Sequence, residues 1–352
     1  MKFSVVIPVH NAEKYIEECL YSIISKGLED RKAQVEVLFI ENGSTDKSAM
    51  LCDRLSADNQ NVHTFHFGKI GAYKARQQGI RKATGDYIIF VDADDQMSEG
   101  SIGKLADYIL SLQKIGELPD IVIYNAADLS KRDSKMFPFT FEENKIYKDD
   151  ELDHFYEIMC KGDSLNALWN KCIKTETALL CISGEEDNNE VFNHGEDLLQ
   201  TAAFLDKAKS IAYLNDIIYY YRDNRQGLTG TYHREFLDNQ VKAWEAFDDY
   251  AAKWTGDKFK AIIDERKTLT CMICADKLVK AEVSGKVLKK EMRALLDSDF
   301  FKKYGYEKLP EWAPESSVYM QKLVLSADPY KKLVHEGYVR SFKAKIKRFL
   351  KR

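Results

Sequence analysis

Residues 85–95, Gly-Asp-Tyr-Ile-Ile-Phe-Val-Asp-Ala-Asp-Asp, decide the fold. Their middle, residues 87–91, is an unbroken run of aromatic and β-branched residues, which predicts a strand buried on both faces of a parallel sheet. Three carboxylates, Asp92, Asp94 and Asp95, follow directly. Ligands of open α/β sheets usually bind at the carboxyl ends of the strands. The stretch therefore predicts a binding site at the end of a central strand.

Carboxylates this close repel one another, so a cation or hydrogen-bond donors must compensate their charge. Mg²⁺ or Mn²⁺ suits the stretch, because these ions take one or two carboxylates and complete their shell with water and substrate phosphates. A calcium loop is disfavoured, because Met97 and Gly103 stand where its glycine and its bidentate glutamate belong. The alternative is a solvated turn that caps the next helix. The buried strand before the aspartates favours the metal.

Length and composition limit the class of protein. At 352 residues the chain is long for one domain, so we expect a catalytic domain with one or two smaller additions. The net charge of −4 argues against a nucleic-acid partner. Seven cysteines without framework spacing predict reduced thiols, with Cys271 and Cys274 as buried helix residues. Because the sequence has no signal peptide and no apolar segment of membrane length, we expect a cytoplasmic protein.

Strand and helix patterns alternate through the first part of the chain. Apolar runs predict strands at residues 3–9, 35–40, 62–67 and 87–91. Helical patterns lie between them, and this alternation predicts βαβ units, a parallel sheet and an α/β fold.

Glu41 and Asn42 end the second predicted strand and therefore face the same crevice as the three aspartates. Carboxylate and amide groups there suit the base and ribose of a nucleotide, and a metal suits its phosphates. The chain lacks Gly-x-Gly-x-x-Gly after its first strand and Gly-x-x-x-x-Gly-Lys-Ser/Thr throughout, which disfavours dinucleotide and P-loop folds. The phosphates would then be held by the metal and by basic side chains.

Four segments, residues 4–11, 41–46, 71–80 and 85–95, resemble in order and spacing the family 2 glycosyltransferases of the bacterial surface-polysaccharide type. This resemblance implies a GT-A fold, Rossmann-like with a mostly parallel central sheet, and the rest of the chain adds a C-terminal helical extension. It implies three regions. Residues 1–110 form the half that binds the nucleotide sugar, 111–232 the half that binds the acceptor, and 233–352 a helical C-terminal region.

The resemblance also implies a donor site. Its residues are Pro8, Val9, Asn11, Glu41, Asn42, Arg76, Asp92, Ala93 and Asp94. By resemblance Asp94 binds Mn²⁺ or Mg²⁺, Asp92 contacts the ribose or a metal-bound water, and Glu41 contacts the nucleobase or ribose. Three positions depart from the usual pattern: His10 replaces a tyrosine, Glu41-Asn42 an Asp-Asp pair, and Gln77 an asparagine. These departures leave the nucleobase open.

Glu196 and Asp197 open a predicted helix, where acidic residues are common for dipole reasons alone. After a matching nucleotide domain they resemble the Glu-Asp motif whose aspartate is the catalytic base. Inverting transfer needs one carboxylate to take the proton of the acceptor hydroxyl as it attacks the anomeric carbon. We predict Asp197 as this base and Glu196 as the second candidate; a purely structural pair is the third interpretation.

Further positions carry weaker predictions. Residues 137–148 are expected as an acceptor-facing loop, and residues 168–173 as a strand near the sugar, in which Trp169 is either a sugar contact or a core anchor. Residues 223–232 read as a mobile loop, and Arg222 or Arg225 would neutralise diphosphate charge or be merely exposed. His233 is a further metal ligand or, more commonly, a structural residue.

The C-terminal region reads as helical from Phe236 onward and could mediate a homodimer. Its end, residues 338–352, carries seven basic residues and no acid, with apolar residues on one face. Such a helix lies on an anionic membrane or, alternatively, is a solvated helix or docks a partner. We expect it at the inner face of the cell membrane.

Together these features predict an inverting, metal-dependent transfer of one sugar from a nucleotide-diphosphate sugar. By resemblance the donor is a UDP-sugar and the acceptor a glycan or lipid-linked oligosaccharide of a bacterial surface polysaccharide. Processive synthases of the family carry Gln-x-x-Arg-Trp and membrane spans, which the sequence lacks. The alternatives are a non-catalytic scaffold for a partner enzyme and a nucleotidyltransferase that makes the activated sugar.

Overall fold

The computed structural model of the protein describes residues 1–24, 33–114, 116, 118–182, 194–224 and 233–349, with side chains up to residue 346. These residues belong to two compact units. The first contains residues 1–159 and 163–224, and the second contains residues 160–162 and the chain from residue 225 onward. The predicted loop at residues 225–232, with Arg225, lies outside the described residues, as do the side chains from residue 347 onward.

Strands and helices alternate in the first unit. Its strands are β1 Lys2–Val9, β2 Gln34–Asn42, β3 Val62–Phe67, β4 Tyr87–Phe90, β5 Gln96–Met97, β6 Ile121–Asp128, β7 Ile146–Lys148, β8 Lys171–Lys174 and β9 Ser210–Tyr221. Its helices are α1 Ile16–Ile24, α2 Ser48–Asp58, α3 Gly71–Lys82, α4 Ser101–Gln113, α5 Asp153–Lys161, α6 Thr175–Leu179 and α7 Glu196–Lys207. Helix α5 runs into the second unit at its last two residues.

These strands form one mixed sheet in the order β3-β2-β1-β4-β8-β6-β9-β5, with β7 beside β9. The first four are mutually parallel, as the sequence predicts. Strand β8 is antiparallel to both β4 and β6, whereas β6 and β9 are parallel to each other. The insertion of β8 brings Lys171, its first residue, to the edge of the sheet where β4 ends.

The parallel half is buried: β4 is apolar throughout, the centres of β1 and β2 are apolar, and all of β4 and nearly all of β1 and β2 are shielded from solvent. One close approach needs glycine. A Cβ atom on Gly79 of α3 would lie 2.2 Å from Cγ1 of Val6 in β1, so the glycine lets this helix lie directly on the sheet. The helix carries Arg76, and its packing fixes where that side chain begins.

Two local predictions were wrong. Residues 168–173 were expected to form one strand, but Leu168–Asn170 form a 3₁₀ turn and β8 begins only at Lys171. Residues 137–148 were expected as a loop, but they end in β7, and Phe137 and Phe139 pack on Trp169 and Tyr213. Aromatic packing against the sheet explains both differences, because these rings bury area that a free loop would leave in water.

The second unit is helical in its described part. It contains α8 Phe236–Thr255, α9 Lys260–Lys280, α10 Gly285–Asp297, α11 Asp299–Tyr304, α12 Glu315–Val324 and α13 Pro329–Phe349. Cys271 and Cys274 are buried in α9, as predicted, and Trp244 and Phe247 of α8 are buried while Trp254 is only half-buried. None of the described helices combines the length and the apolar character needed to cross a bilayer.

Candidate active site

Arg76 of α3 is the centre of the predicted catalytic cluster. One of its terminal nitrogens donates to Oδ1 of Asp92 at 3.1 Å, and the other donates to Oδ1 of Asp197 at 3.0 Å. Glu196 lies 3.5 Å from the second nitrogen. The arginine is 4% exposed, so its charge is not screened by water. It therefore joins the end of β4 to the start of α7, which are more than a hundred residues apart.

The ionisation of this cluster is shifted by burial. Burial raises the pKa of Glu196 to about 8, and the charge of Asp197 adds to the shift. The pKa of Asp197 is also raised by burial, against the opposing charge of Arg76. For Arg76 burial opposes the charged form, but the carboxylates of Asp197 and Asp92 outweigh it and raise the pKa. Asp197 is only half-buried, and a carboxylate that has a raised pKa and remains open to solvent suits general base chemistry near neutral pH.

Asp94 and Asp95 lie in the turn after β4, and the end of β9 holds them. The Asp95 carboxylate accepts from the Tyr219 hydroxyl at 2.6 Å and from the Arg222 backbone N–H at 2.6 Å. Arg222 Nε donates to the Asp94 carbonyl oxygen at 2.7 Å, and Asn224 donates to the Asp94 carboxylate at 2.8 Å. Asp95 is 1% exposed, so it is a structural anchor of the turn, whereas Asp94 keeps some exposure.

Glu18 of α1 accepts from the terminal nitrogen of Arg222 at 2.7 Å, and the ring of Tyr15 lies 5.1 Å beneath the guanidinium. The Arg222 guanidinium therefore already binds two groups of the protein, the Glu18 carboxylate and the Asp94 carbonyl oxygen. In the structure Arg222 holds the turn that contains Asp94. The two predicted interpretations, a diphosphate contact and a merely exposed side chain, did not include this contact.

The predicted nucleoside contacts lie at the ends of β1 and β2. Val9 is paired in register with Glu41, so both strands reach the same edge. Glu41 is 4% exposed and accepts from the Ser44 backbone N–H at 2.6 Å. Asn11, in the left-handed conformation at φ 53°, accepts from the Thr45 backbone N–H at 2.8 Å. Pro8 precedes Val9 at the end of β1, and Ala93 is buried between Asp92 and Asp94.

Asn42 has a different environment from the other predicted donor residues. Its side-chain oxygen accepts from the backbone N–H groups of Ile70 and Gly71 at 2.8 and 3.1 Å, and its carbonyl lies 2.9 Å from His10 Nδ1. It is 6% exposed. Asn42 therefore fixes the start of α3, and with it the approach of Arg76, through its side-chain oxygen.

A divalent cation fits one part of this arrangement. Among the described residues, no group of three or more His, Cys, Asp or Glu side chains is arranged to hold a metal. Burial raises the pKa of Asp94, with the neighbouring Asp92 charge adding to it, so a cation beside this carboxylate would relieve an unfavourable charge. An ion bound there would need substrate oxygens to complete its shell. His233, the other predicted ligand, belongs to the second unit.

Sequence reasoning missed two residues that complete the cluster. Tyr219, in β9, accepts from the Asp92 backbone N–H at 3.1 Å besides holding Asp95, and Trp169 stacks on its ring at 4.8 Å between centroids. Lys171 is fully buried at the start of β8. Its signal was a lysine inside an apolar strand pattern, which is rare without a partner.

Comparison with known proteins gives matches over a large part of the chain. Residues 4–169 match the family model described as glycosyl transferase family 2. Glycosyltransferase GlyA of Streptococcus pneumoniae is 25% identical over 248 residues, which cover 69% of this chain and 33% of GlyA. Glycosyltransferase GlyG of the same organism is 28% identical over 227 residues, 62% of this chain and 70% of GlyG. The chain thus spans only a third of one of these relatives.

Solved structures extend the likeness to nearly the whole chain. The crystal structure of Staphylococcus aureus TarS residues 1–349 in complex with UDP-GlcNAc has a TM-score of 0.56 at 18% identity, covering 98% of this chain and 92% of that one. The same TarS segment with UDP has a TM-score of 0.55. This likeness confirms the predicted GT-A fold with its helical extension.

Proposed function

We propose that this protein transfers one sugar from a nucleotide-diphosphate sugar to a hydroxyl group of a glycan acceptor, since residues 4–169 match the model of glycosyl transferase family 2. The observation that carries the proposal is the buried bridge from Asp92 through Arg76 to Asp197. It joins the end of the central strand, where the nucleotide is expected, to a carboxylate suited to take a proton. The proposed activity is that of the whole chain and not of residues 4–169 alone.

In this mechanism Asp197 accepts the proton of the acceptor hydroxyl while that oxygen attacks the anomeric carbon. A single displacement of this kind inverts the configuration at that carbon and needs no second nucleophilic carboxylate. Arg76 orients Asp197 and favours its ionised form, since a carboxylate beside a buried cation gives up its proton more easily. Asp94 would hold Mn²⁺ or Mg²⁺, which supplies charge stabilisation to the departing diphosphate.

We propose a UDP-sugar as donor. The support is the likeness to TarS, one structure of which is a complex with UDP-GlcNAc. A relative of that name from Staphylococcus aureus is called a poly(ribitol-phosphate) beta-N-acetylglucosaminyltransferase and is 25% identical over 244 residues. For this chain the acceptor is proposed as a glycan or lipid-linked oligosaccharide of a bacterial surface polysaccharide.

Thermal stability with nucleotides tests the donor class and the metal together. Wild type is heated with UDP, GDP or dTDP, each with and without Mn²⁺. We expect UDP with Mn²⁺ to stabilise it, by about 2.7 kcal/mol at a hundredfold excess over the dissociation constant. Asp94→Asn should lose the metal-dependent part. Asp133→Asn, a matched change at an exposed aspartate, should keep it.

The two other hypotheses predict different results in this assay. No shift with any nucleotide would contradict the enzyme proposal and favour a non-catalytic scaffold. Stabilisation by a nucleoside triphosphate alone, with release of pyrophosphate on adding a sugar phosphate, would instead favour a nucleotidyltransferase.

Helix α13 supports a second part of the proposal, contact with an anionic membrane. Tyr338, Phe342 and Ile346 recur every four residues and are 42%, 64% and 43% exposed, which is unusual for three large apolar side chains on one face. Lys343 and Lys345 are exposed beside them. Arg340 does not contribute to this basic face, because it is paired with Asp276 at 3.1 Å and Glu336 at 2.7 Å. An apolar stripe flanked by lysines suits the surface of an anionic bilayer.

Co-sedimentation with vesicles tests this contact. The wild-type protein should bind vesicles of phosphatidylglycerol and not vesicles of phosphatidylcholine alone. Phe342→Ser with Ile346→Ser should abolish binding, because it removes the apolar part of the stripe. Val318→Ser, a change at an apolar residue of α12 that is 39% exposed, serves as the control and should bind as wild type does. Equal binding by both variants would contradict the proposal.

A further inference from the structure

Lys171 is buried, and neither the donor site nor the predicted base includes it. It is 0% exposed, yet its ammonium group is fully hydrogen-bonded. Nζ donates to the carbonyl oxygen of Leu165 at 2.6 Å, to the side-chain oxygen of Asn170 at 2.6 Å, and to the carbonyl oxygen of Ala167. Three oxygen acceptors match the three N–H groups of the charged amine. The lysine therefore closes residues 164–171 into one turn, which we call the Lys171 turn.

One side of the Lys171 turn contacts the helix of the predicted base. The carbonyl oxygen of Asn166 accepts from the Thr201 hydroxyl at 2.8 Å. Thr201 follows Asp197 by four residues in α7, so the two side chains lie on the same face of the helix. A shift of the turn would move this face and change the direction of the Asp197 carboxylate.

The other side of the turn contacts the end of the central strand. Trp169 stacks on Tyr219 with ring centroids 4.8 Å apart and ring planes 10° apart. The Tyr219 hydroxyl donates to Asp95 and accepts from the backbone N–H of Asp92. The turn therefore contacts both parts of the active site, the strand end and the helix start, as Arg76 also does through its side-chain contacts.

Lys171 also lies within the electrostatic field of Asp197. Burial lowers the pKa of Lys171 to about 7, and the negative charge of Asp197 opposes that shift. The charged groups that face Asp197 are Arg76, Asp92, Glu196 and Lys171. Two of these are cations, and Lys171 is the one that no carboxylate touches directly in the described contacts.

We propose that Lys171 is a positioning residue: by closing the Lys171 turn it sets Asp197, through Thr201, and Trp169, against Tyr219, in the geometry that transfer requires. This inference rests on the proposed function. It predicts a loss in turnover much larger than any loss in donor binding, because the expected nucleoside contacts at β1 and β2 do not touch the turn, and the turn reaches Asp92 only through Tyr219.

The test is Lys171→Met, assayed by release of UDP from UDP-GlcNAc with water as acceptor. We expect kcat to fall about 10- to 100-fold, with the KM for the donor within about twofold of wild type. The acidic limb of the kcat–pH profile should move up by about one unit, because Asp197 loses a neighbouring positive charge. Lys171→Arg should leave the limb where it is, since it keeps the charge.

Lys267 offers a matched control in the second unit. It is 2% exposed and donates to both oxygens of Asp248 at 2.7 Å. Lys267→Met should lower the melting temperature while kcat and the pH limb stay at wild-type values. If Lys171→Met shows this same pattern, Lys171 is only structural and the inference is wrong.

Two further measurements cover the remaining outcomes. If Lys171→Met does not fold, Thr201→Val cuts the link between turn and helix and should lower kcat at unchanged donor KM; wild-type kcat would overturn the inference. If wild type releases no UDP and no nucleotide stabilises it, the proposed function fails. Near-UV circular dichroism of the Trp169–Tyr219 stack then tests the turn alone, and an unaltered spectrum in Lys171→Met would overturn the inference.

Discussion

Buried carboxylates lie at both edges of the parallel half-sheet, and their surroundings are opposite. At the amino edge, Glu36 accepts from Lys2 Nζ at 2.6 Å, from the Ser4 hydroxyl at 2.5 Å, and from the backbone N–H and hydroxyl of Thr84 at 2.7 Å each. Burial alone would raise the pKa of Glu36, but these hydrogen bonds lower it to about 2. At the carboxyl edge, burial raises the pKa of Glu196 to about 8.

This difference separates Glu36, a structural carboxylate, from the carboxylates around Arg76. Glu36 has more donors than it needs, so its charge is stabilised and it holds β1, β2 and the start of β4 together. The carboxyl edge places Asp92, Glu196 and Asp197 around the single side chain of Arg76. A set that is short of positive charge is costly to fold and ready to bind a proton or a cation. The raised pKa values of Glu196 and Asp197 therefore distinguish the candidate site from Glu36 at the other edge.

When one carboxylate at each edge of the sheet is replaced, the largest expected difference between the two variants is in turnover. Asp197→Asn cannot accept a proton, so kcat should fall by a factor of about 10² to 10⁴, measured as UDP release from UDP-GlcNAc. Stability should not fall, because the variant removes one of the carboxyl groups that share the single cation of Arg76. The matched variant at the other edge, Glu36→Gln, should keep wild-type kcat. Equal kcat in both variants would exclude Asp197 as the base.

Removing Arg76, the cation that the three carboxylates share, has the next largest expected effect, and this effect is on stability. Arg76→Met leaves the carboxylates of Asp92, Glu196 and Asp197 without a positive partner, and breaking a buried ion pair from one side costs about 3–5 kcal/mol. The loss in the free energy of unfolding should be larger at pH 8.5 than at pH 6, since protonated carboxyls need no cation. Urea denaturation at both pH values measures it.

The amino edge supplies the comparison for Arg76. Lys2→Met should cost only about 1 kcal/mol, because the Lys2 side chain is 34% exposed and Glu36 keeps its hydroxyl and backbone donors. If Lys2→Met proves as damaging as Arg76→Met, the carboxyl edge is not the poorly compensated one.

Glu36→Gln should have an intermediate effect on stability. Its folded pKa lies below the ordinary value of 4.5, so the ionised side chain contributes stability that is fully present above pH 4.5 and is lost as the pH falls towards 2. The shift corresponds to about 3 kcal/mol. Glu36→Gln should lose about this amount at pH 7 and should show a flatter dependence of unfolding free energy on pH between 2 and 4.5. An unchanged slope would contradict the assignment.

The sequence predicts the end of β4 and its aspartates better than it predicts the cluster of carboxylates around Arg76. The apolar run before Asp92 predicts both β4 and the edge where the aspartates lie, because burial and period are local properties. That Arg76 meets Asp197 depends on packing between elements 121 residues apart, and only the family resemblance suggested both residues. Gly79 contributes to this contact, yet in the sequence it is one glycine among 18.

Other differences have the same origin in tertiary contacts. Asn42 was predicted from its place at a strand end, but the orientation of its amide depends on the loop before α3, which is not readable from residues 41–46. Lys171 was overlooked because its acceptors, on Leu165, Ala167 and Asn170, lie in the turn before β8, where the sequence predicted a strand from residue 168. Local pattern gives the element, and close packing decides which polar atom faces which.

The smallest change in activity is expected for Glu196→Gln, and it distinguishes the two carboxylates that open α7. Since the pKa of Glu196 is about 8, the side chain is largely protonated at pH 7, and glutamine resembles that form in shape and polarity. The kcat at pH 7 should therefore change by less than about threefold, against the large loss in Asp197→Asn. A fall in kcat as large as that of Asp197→Asn would make Glu196 the base.

Stability gives the same variant a second, independent readout. The pKa of Glu196 in the folded protein is raised above the ordinary 4.5. Protonated Glu196 therefore contributes stability that is fully present below pH 4.5 and is lost as the pH rises towards 8. Glu196→Gln removes this loss, so its unfolding free energy should exceed that of wild type increasingly from pH 5 to pH 8. The slope is opposite in sign to that of Glu36, and a parallel pair of curves would mean that the two edges of the sheet do not differ as their contacts indicate.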